Sequence, residues 1–493
     1  MRTHPMSPVD AAWYHIDGPV NSAMITSVLR TRTPLDFRKV QAVYTQRLAR
    51  FERFTQRVVE KGFAFGTPHW EPIPGFAIDQ QLHHVALPAP GGDAQLAELI
   101  NDLASTPLDR TRPLWDVHVV DGVDGGSALI TRIHHCIGDG TANLLVARAL
   151  FDAAPDAPAA RPAVRAVVEP DAERMFAPAI QAVERRFAEV RLLAHAAADA
   201  VAHPQKVIEH AALAVGGAVS LAADLLQRRD PRSPLKGEFG PKQRVAWSEP
   251  VPLAQVKEIG ARLDAKVNDV LVAVMTGALR AYLKKRGVDV NHMQLHAVVP
   301  VDLRPPERAK ELGNEFGLVI LELAIGATDP VARVRLTRQR MDELKHSAEP
   351  AAILALFNVF GRAPKAVEDL AVQIFGSRAS LVMTNVAGPK DALYLAGVPI
   401  DRVMFWVPHP GRQLGMGISI LSYRRKVTLT VIADAKLVPD PDTITARFQR
   451  EFDTLLAAVQ RREVKAAQRT APVPARRVRP AGGRNHGSKL VRH

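Results

Sequence analysis

With one cysteine, Cys136, in 493 residues, the chain can form no disulfide within itself and no thiolate metal cluster, which fits a reducing cytoplasm. Long apolar runs are missing too. The most hydrophobic stretch, from Ala211 to Ala223, is short and broken by Gly216-Gly217, far below the roughly 20 residues that a membrane-spanning helix requires. The opening residues, Met1 to Ala12, include Arg2, His4 and Asp10 and lack the apolar segment of a signal peptide. Gly-x-Ser-x-Gly, a phosphate loop ending Gly-Lys-Ser/Thr, Gly-x-Gly-x-x-Gly and His-Glu-x-x-His are all absent, so serine-hydrolase, P-loop and zincin chemistry lose their usual signatures. Acidic residues are missing from Val464 to His493, where eight basic residues stand among Pro472, Pro474, Pro480, Gly482 and Gly483. That tail has too little apolar surface to offset its own ordering entropy, and the expectation is a mobile basic arm.

What is present is ordinary globular material: 47% hydrophobic, 23% charged, with a net charge of +13 that falls to +5 without the tail. The length suggests two or three domains. In the first 150 residues, Val117–Val120 and Ala128–Ile133 read as strands, while Asp93–Thr106 and Thr141–Ala153 place Leu96, Leu99, Ile100, Leu103 and then Leu145, Ala149 and Phe151 at helical spacing. An Ala- and Pro-rich stretch follows from Ala154 to Glu169, and then two helical stripes meet at Pro204 and end at Arg228-Arg229-Asp230-Pro231. This connector packs on a domain or, alternatively, lays its apolar stripe on a membrane with Arg185, Arg186, Arg191, Arg228 and Arg229 at the headgroups. A second α/β region starts near Pro241. It has helices over Leu253–Leu263 and Asn268–Lys285 and strands over Leu295–Val301, Leu318–Ile325, Leu381–Val386, Val403–Val407, Leu414–Leu421 and Val427–Ala433, and it closes with a helix from Pro441 to Val459. No repeat of 20–50 residues is visible.

The chemistry concentrates in His134-His135-Cys136-Ile137-Gly138-Asp139-Gly140, where a strand gives way to a helix. An imidazole at such an irregular edge is reachable by a ligand, and its ordinary pKa of about 6.5 lets it accept a proton from an attacking hydroxyl. Strand alternation predicts that His134 and His135 face opposite ways, so that one lines a channel and the other is buried. The blander reading is a buried, hydrogen-bonded histidine pair. A metal on His135 and Asp139 lacks a third ligand nearby. Cys136 should point away from His135 and fill the core, and Asp139 can simply cap the next helix.

Beside this His-His-x-x-x-Asp-Gly signature stand Pro113-Leu114-Trp115, Asn268-Asp269-Val270, Thr384-Asn385-Val386-Ala387-Gly388-Pro389 and an opening Ser7-Pro8-x-Asp10. In this order and spacing, from about Met6 to Leu456, the chain resembles the bacterial wax ester synthase/acyl-CoA:diacylglycerol acyltransferases, relatives of chloramphenicol acetyltransferase, carnitine acyltransferases and peptide-synthetase condensation domains. Thr384 and Ala387 depart from the family's usual Ser and Pro, and Arg424-Arg425 stands where glycine is frequent.

The resemblance implies an α/β fold of two chloramphenicol-acetyltransferase-like domains, 1–160 and 236–463, joined by a helical connector, 161–235, with a disordered basic tail, 464–493. It implies a channel at the domain interface, where small-molecule sites commonly form. His135, accompanied by His134, would be the general base for direct attack of diacylglycerol or a long-chain alcohol on the acyl-CoA thioester. Asn268 would donate to the oxyanion or else act as N-cap of the helix it opens. Asp139 would be structural, paired with an arginine such as Arg304. Gly140, Trp115, Asn385 and Gly388 would adjoin the substrate, with core packing as the other role for Trp115.

Acyl-CoA is then a co-substrate, with no cofactor and no metal. The partners would be acyl-CoA, a lipid alcohol and, peripherally, an anionic membrane or lipid droplet at the inner face of the plasma membrane. Nucleic acid is not expected, because the tail contains no aromatic residue for base stacking. Two other readings compete: a non-catalytic coat on lipid droplets, and a condensation-type amide-forming enzyme without its usual carrier and adenylation neighbours.

Overall fold

The computed structural model describes residues 3–18, 22–60, 67–156, 230–302, 304, 312–314, 316–345, 376–409 and 414–470. The connector up to residue 229, with its membrane-facing alternative, lies outside the described residues, as does the tail beyond Thr470.

Two mixed sheets organise the molecule. The first holds β1 (Met24–Thr31), β2 (Leu82–Ala86), β3 (Trp115–Val123) and β4 (Gly126–His134). The second holds β5 (Gln243–Trp247), β6 (Leu295–Asp302), β7 (Phe316–Leu323), β8 (Leu381–Ala387), β10 (Met416–Tyr423) and β11 (Lys426–Asp434). The intervening β9 (Val398–Trp406) does not join the second sheet. It crosses to the first and pairs antiparallel with β1, from Ile400 opposite Thr31 to Trp406 opposite Thr26. The expected division at 235/236 therefore does not separate the sheets. The strand is buried between the two: Ile400 lies in a cluster built mostly of first-half residues, while Met404 and Trp406 lie in one that joins Val28, Leu96 and Ile130 to Val245 and Ile432 of the second sheet, and all three are fully buried.

Five of the helices coincide with those expected from periodicity, and Pro8–Ile16, Phe37–Arg47 and Pro330–Lys345 are additional. In the first half the helices are α1 (Pro8–Ile16), α2 (Phe37–Arg47), α3 (Asp93–Ser105) and α4 (Gly140–Leu150). In the second they are α5 (Leu253–Leu263), α6 (Val267–Lys285), α7 (Pro330–Lys345) and α8 (Pro441–Thr470). Buried nearly all round from Asp269 to Leu283, α6 packs with α8 over one face of the second sheet, against Ala297, Met383, Ile418, Leu429 and Val431. The opposite face supplies Val245 and Ile432 to a cluster shared with Val28, Leu96, Ile130, Met404 and Trp406 of the first sheet and its neighbours. One apolar cluster thus spans both sheets. The edge strand β5 is blunted in the same region, where Asn101 and Ser105 of α3 accept its Val245 and Gln243 N–H groups at 2.7 and 2.9 Å.

The last helix runs past the expected start of the tail. It takes in Lys465 and Arg469, because Val464 to Thr470 contains good helix formers and the first proline comes only at Pro472.

Candidate active site

The signature loop hangs between the halves. The β4 strand ends at His134, and His135 to Ile137 form a turn before α4 begins at Gly140. Strand alternation accordingly stops at His134, and the expected opposite facing of the two rings does not arise from it. Both histidines are buried, and what distinguishes them is hydrogen bonding. His134 Nδ1 accepts the N–H of Cys136 at 3.1 Å. Its lone pair is thereby committed to its own backbone, and the proton sits on Nε2, which faces the Asp17 carboxylate at 3.6 Å. His135 Nδ1 instead meets Asn314 Oδ1 at 2.9 Å, and among the described residues no hydrogen bond engages its Nε2.

Around His135 the walls are aromatic. Trp13 of α1 stacks on the imidazole, with ring centroids 4.0 Å apart and planes 14° from parallel, and Phe316 lies 5.6 Å away. Burial pushes the His135 pKa down to about 4 against the opposing effect of the Asn314 bond, since an apolar cage penalises the charged ring. The ring is neutral at physiological pH, yet the residue keeps 9% of its surface open. Cys136 is fully buried in the first-half core, and burial pushes its thiol well above the ordinary value, so it supplies no thiolate nucleophile.

The loop is held from two sides. From the first half, Arg53 pairs with Asp10 at 2.9 Å and donates to the carbonyls of Cys136 and Ile137. Its guanidinium also lies over the Trp70 ring, 5.3 Å from the centroid. Asp10 and Trp13 fall three apart on α1, which Ser7 caps by accepting the Asp10 N–H. From the second half, Arg304 Nη2 donates to Asp139 Oδ2 at 2.7 Å and to Gly313 O at 2.8 Å. Thr141 donates to Asp302 at 2.7 Å, and Asp139 N–H donates to Gly313 O at 3.2 Å.

Asp139 also caps α4 by accepting Ala142 N–H at 2.9 Å. Its two oxygens thus face Ala142 and Arg304; among the described residues no group of three or more His, Cys, Asp or Glu is arranged to hold a metal. Gly138 is dictated by packing, because a Cβ there would sit 2.6 Å from Ala142 Cβ. At Gly140 a Cβ would meet nothing within 4 Å, so its small size leaves open space at the start of α4.

The remaining sequence candidates divide. Asn268 is not the N-cap of α6. That position belongs to Lys266, whose N–H is taken by Asp269 at 2.8 Å, and Asn268 lies one residue inside the helix. Its Oδ1 accepts from Asn385 Nδ2, which joins two sequence candidates 117 residues apart. Asn385 sits near the C-terminal end of β8, beside β6, the strand that delivers Asp302 to Thr141. The amide pair thus shares a sheet rim with the loop holding Asp139.

Trp115 is 1% exposed, meets the Phe54 ring at a tilt and donates its indole N–H to Phe54 O at 2.9 Å; it belongs to the core beneath the site and presents no surface to a substrate. Gly388 has a packing role as well: a Cβ would lie 2.3 Å from Ser422 O, and its N–H donates to that oxygen at 2.9 Å. Residues missed by the sequence reading are Asn314, Trp13, Phe316 and Arg53. Asp10 was visible only as part of Ser7-Pro8-x-Asp10.

This geometry can be set beside known proteins. The model of the wax ester synthase/diacylglycerol acyltransferase catalytic domain matches residues 6–271, more than half the chain, and the model of the C-terminal domain of the same proteins matches residues 312–456. The chain belongs to the wax ester synthase/diacylglycerol acyltransferase family. Among its relatives, a Mycobacterium tuberculosis protein named as a probable diacylglycerol O-acyltransferase is 28% identical over 428 residues, covering 85% of this chain and 88% of the relative. The solved wax ester synthase/diacylglycerol acyltransferase from Marinobacter aquaeolei shares the fold at TM-score 0.64 and 20% identity, over 93% of this chain and all of that one. The first condensation domain of the calcium-dependent antibiotic synthetase does so at TM-score 0.58 and 17% identity, over 93% and 96%. As a wax ester synthase/diacylglycerol acyltransferase, the protein is an acyltransferase of the chloramphenicol-acetyltransferase-like fold, as the sequence reading expected. Among the described residues, no helix is long and apolar enough to cross a membrane.

Proposed function

We propose that the protein moves a fatty acyl group from acyl-CoA to the hydroxyl of diacylglycerol, and to long-chain alcohols as alternative acceptors, with His135 Nε2 as general base. One observation carries the assignment: of the two adjacent imidazoles, only His135 has its Nδ1 side held by a side-chain amide and its Nε2 clear of protein partners among the described residues.

In the step proposed, the acceptor O–H gives its proton to Nε2 as its oxygen forms a bond to the thioester carbonyl carbon. The tetrahedral oxyanion collapses, the C–S bond breaks, and the leaving CoA thiolate takes the proton back from the imidazolium. No acyl-enzyme is required, and the deeply buried Cys136 offers none. The donor end of the Asn268 amide, with its carbonyl end engaged by Asn385, is the proposed oxyanion partner. His134, Asp139 and Arg304 hold the loop. The Trp13 and Phe316 walls exclude water, which protects the thioester from hydrolysis.

The acceptor is itself a membrane lipid, so the reaction is proposed to take place at an anionic membrane or droplet surface. The basic residues beyond Val464 would be drawn there by about 1 kcal/mol each or less. The test is an acceptor panel: purified full-length protein with palmitoyl-CoA and either diolein or hexadecanol is expected to form neutral lipid and release one thiol per ester. Absence of ester with every lipid hydroxyl would overturn the proposal.

A further inference from the structure

We infer that Asn314, delivered by the second half of the chain, is a positioning residue that fixes the tautomer of His135 and so makes Nε2 the proton acceptor. This rests on the reading of His135 as base. The orientation of the Asn314 amide follows from its surroundings. Its Nδ2 lies 2.7 Å from Asp10 Oδ1 and 2.8 Å from the carbonyl of His135, and both of those oxygens can only accept. Turning the amide over would set a carbonyl oxygen against a carboxylate and leave two acceptors without a donor.

With Nδ2 so placed, the oxygen that meets His135 Nδ1 at 2.9 Å is also acceptor-only, so Nδ1 carries the hydrogen and Nε2 the lone pair. A free imidazole in water favours the opposite form, which has no lone pair at Nε2. Asp10 is itself anchored by Arg53 at 2.9 Å, and Gly313, next to Asn314, accepts from Arg304 and from the Asp139 N–H. The chain of contacts therefore runs from Arg53 through Asp10 and Asn314 to the ring, and the correct tautomer exists only when the 312–314 segment is docked on the signature loop. The charged groups around this relay are Asp10 and Arg53 on one side, Asp139 and Arg304 on the other, with His134 and Asp17 behind the loop.

The test is long-range 15N–1H correlation on full-length protein labelled at histidine, with the His135 signals identified by their loss in His135→Gln. Near pH 7 the wild type is expected to show a pyrrole-type Nδ1 and a pyridine-type Nε2. Asn314→Leu, branched at the same carbon but without polar atoms, is expected to move the ring toward the Nε2–H form. It should lower kcat by about 10²-fold or more, the scale of losing a histidine's orienting partner, with KM for acyl-CoA changed by less than about twofold.

A wild-type spectrum with hydrogen on Nε2 would overturn the inference whether or not the variants fold, as would Asn314→Leu with unchanged tautomer and kcat. If instead His135→Gln turns over like wild type, it is the base assignment that fails, independently of Asn314.

Discussion

An imidazole caged by Trp13 and Phe316 holds a proton less readily than one in water, and that sets the pH behaviour of His135. Its pKa, lowered to about 4 by burial, keeps the ring unprotonated throughout the neutral range. On the acid side kcat/KM should stay level from about pH 7 to pH 5 and fall only through about pH 4, a limb that initial rates in overlapping buffers will reveal. A limb near the ordinary 6.5 would mean that the ring is solvated in the working enzyme. At this scale the sequence exposed what is local. The His-His-x-x-x-Asp-Gly loop was legible because its seven residues are contiguous, and Asp139 because capping acts over three positions. Asn314 was not legible, since its bond to His135 spans 179 residues and a lone asparagine in Gly-Asn carries no pattern. Trp13 and Arg53 likewise belong to no local motif, and their contacts with the loop come from residues more than 80 positions away.

Among the elements, two contacts give stability predictions. The turn joining β10 to β11 places Arg424 and Arg425 at φ 49° and 61°, the left-handed region that costs a side chain about 1–2 kcal/mol per residue. These are the arginines that stand where the family often has glycine. Arg425→Gly should therefore raise unfolding free energy by about 1 kcal/mol, part of the gain being offset by glycine's freedom in the unfolded chain. Urea denaturation measures this, and a loss of stability would show that the arginine side chain contributes more than its backbone strain costs.

The Arg304–Asp139 pair is buried on both sides, and removing one member leaves an uncompensated charge. Arg304→Ala is expected to cost about 3 kcal/mol and to lower kcat, because Gly313, the neighbour of Asn314, loses one of its two donors. A change below about 0.5 kcal/mol would deny the pair its role. Element positions were largely readable from periodicity, α5 to the residue. Partnership was not: Val398–Trp406 looks like any strand of the second region, and its pairing with Met24–Thr31 rests on contacts between residues about 375 positions apart.

For the whole molecule, three buried histidines tie stability to pH. His135 and His118 are lowered to about 4 and His409 is lowered as well, each chiefly by burial. In the unfolded chain these rings take a proton near 6.5, while in the folded protein His135 and His118 resist doing so until about pH 4 and His409 is shifted in the same direction. Their contribution is complete above about pH 6.5 and is lost as pH falls from there toward 4. The denaturation midpoint should accordingly decline between pH 7 and pH 5, and a midpoint that rises over that interval would contradict the neutral burial of these rings. The cluster linking both sheets makes the two halves one framework around the signature loop, an arrangement that no single stretch of sequence could display.

The most direct measurement is the turnover of His135→Ala with palmitoyl-CoA and diolein beside the wild type, after both are shown to melt alike. General-base catalysis contributes about 10² to 10⁴ in rate, so kcat should fall by about 10³-fold with little change in acyl-CoA binding. Turnover within tenfold of wild type would mean that the acceptor proton leaves by another route and that His135 is not the base.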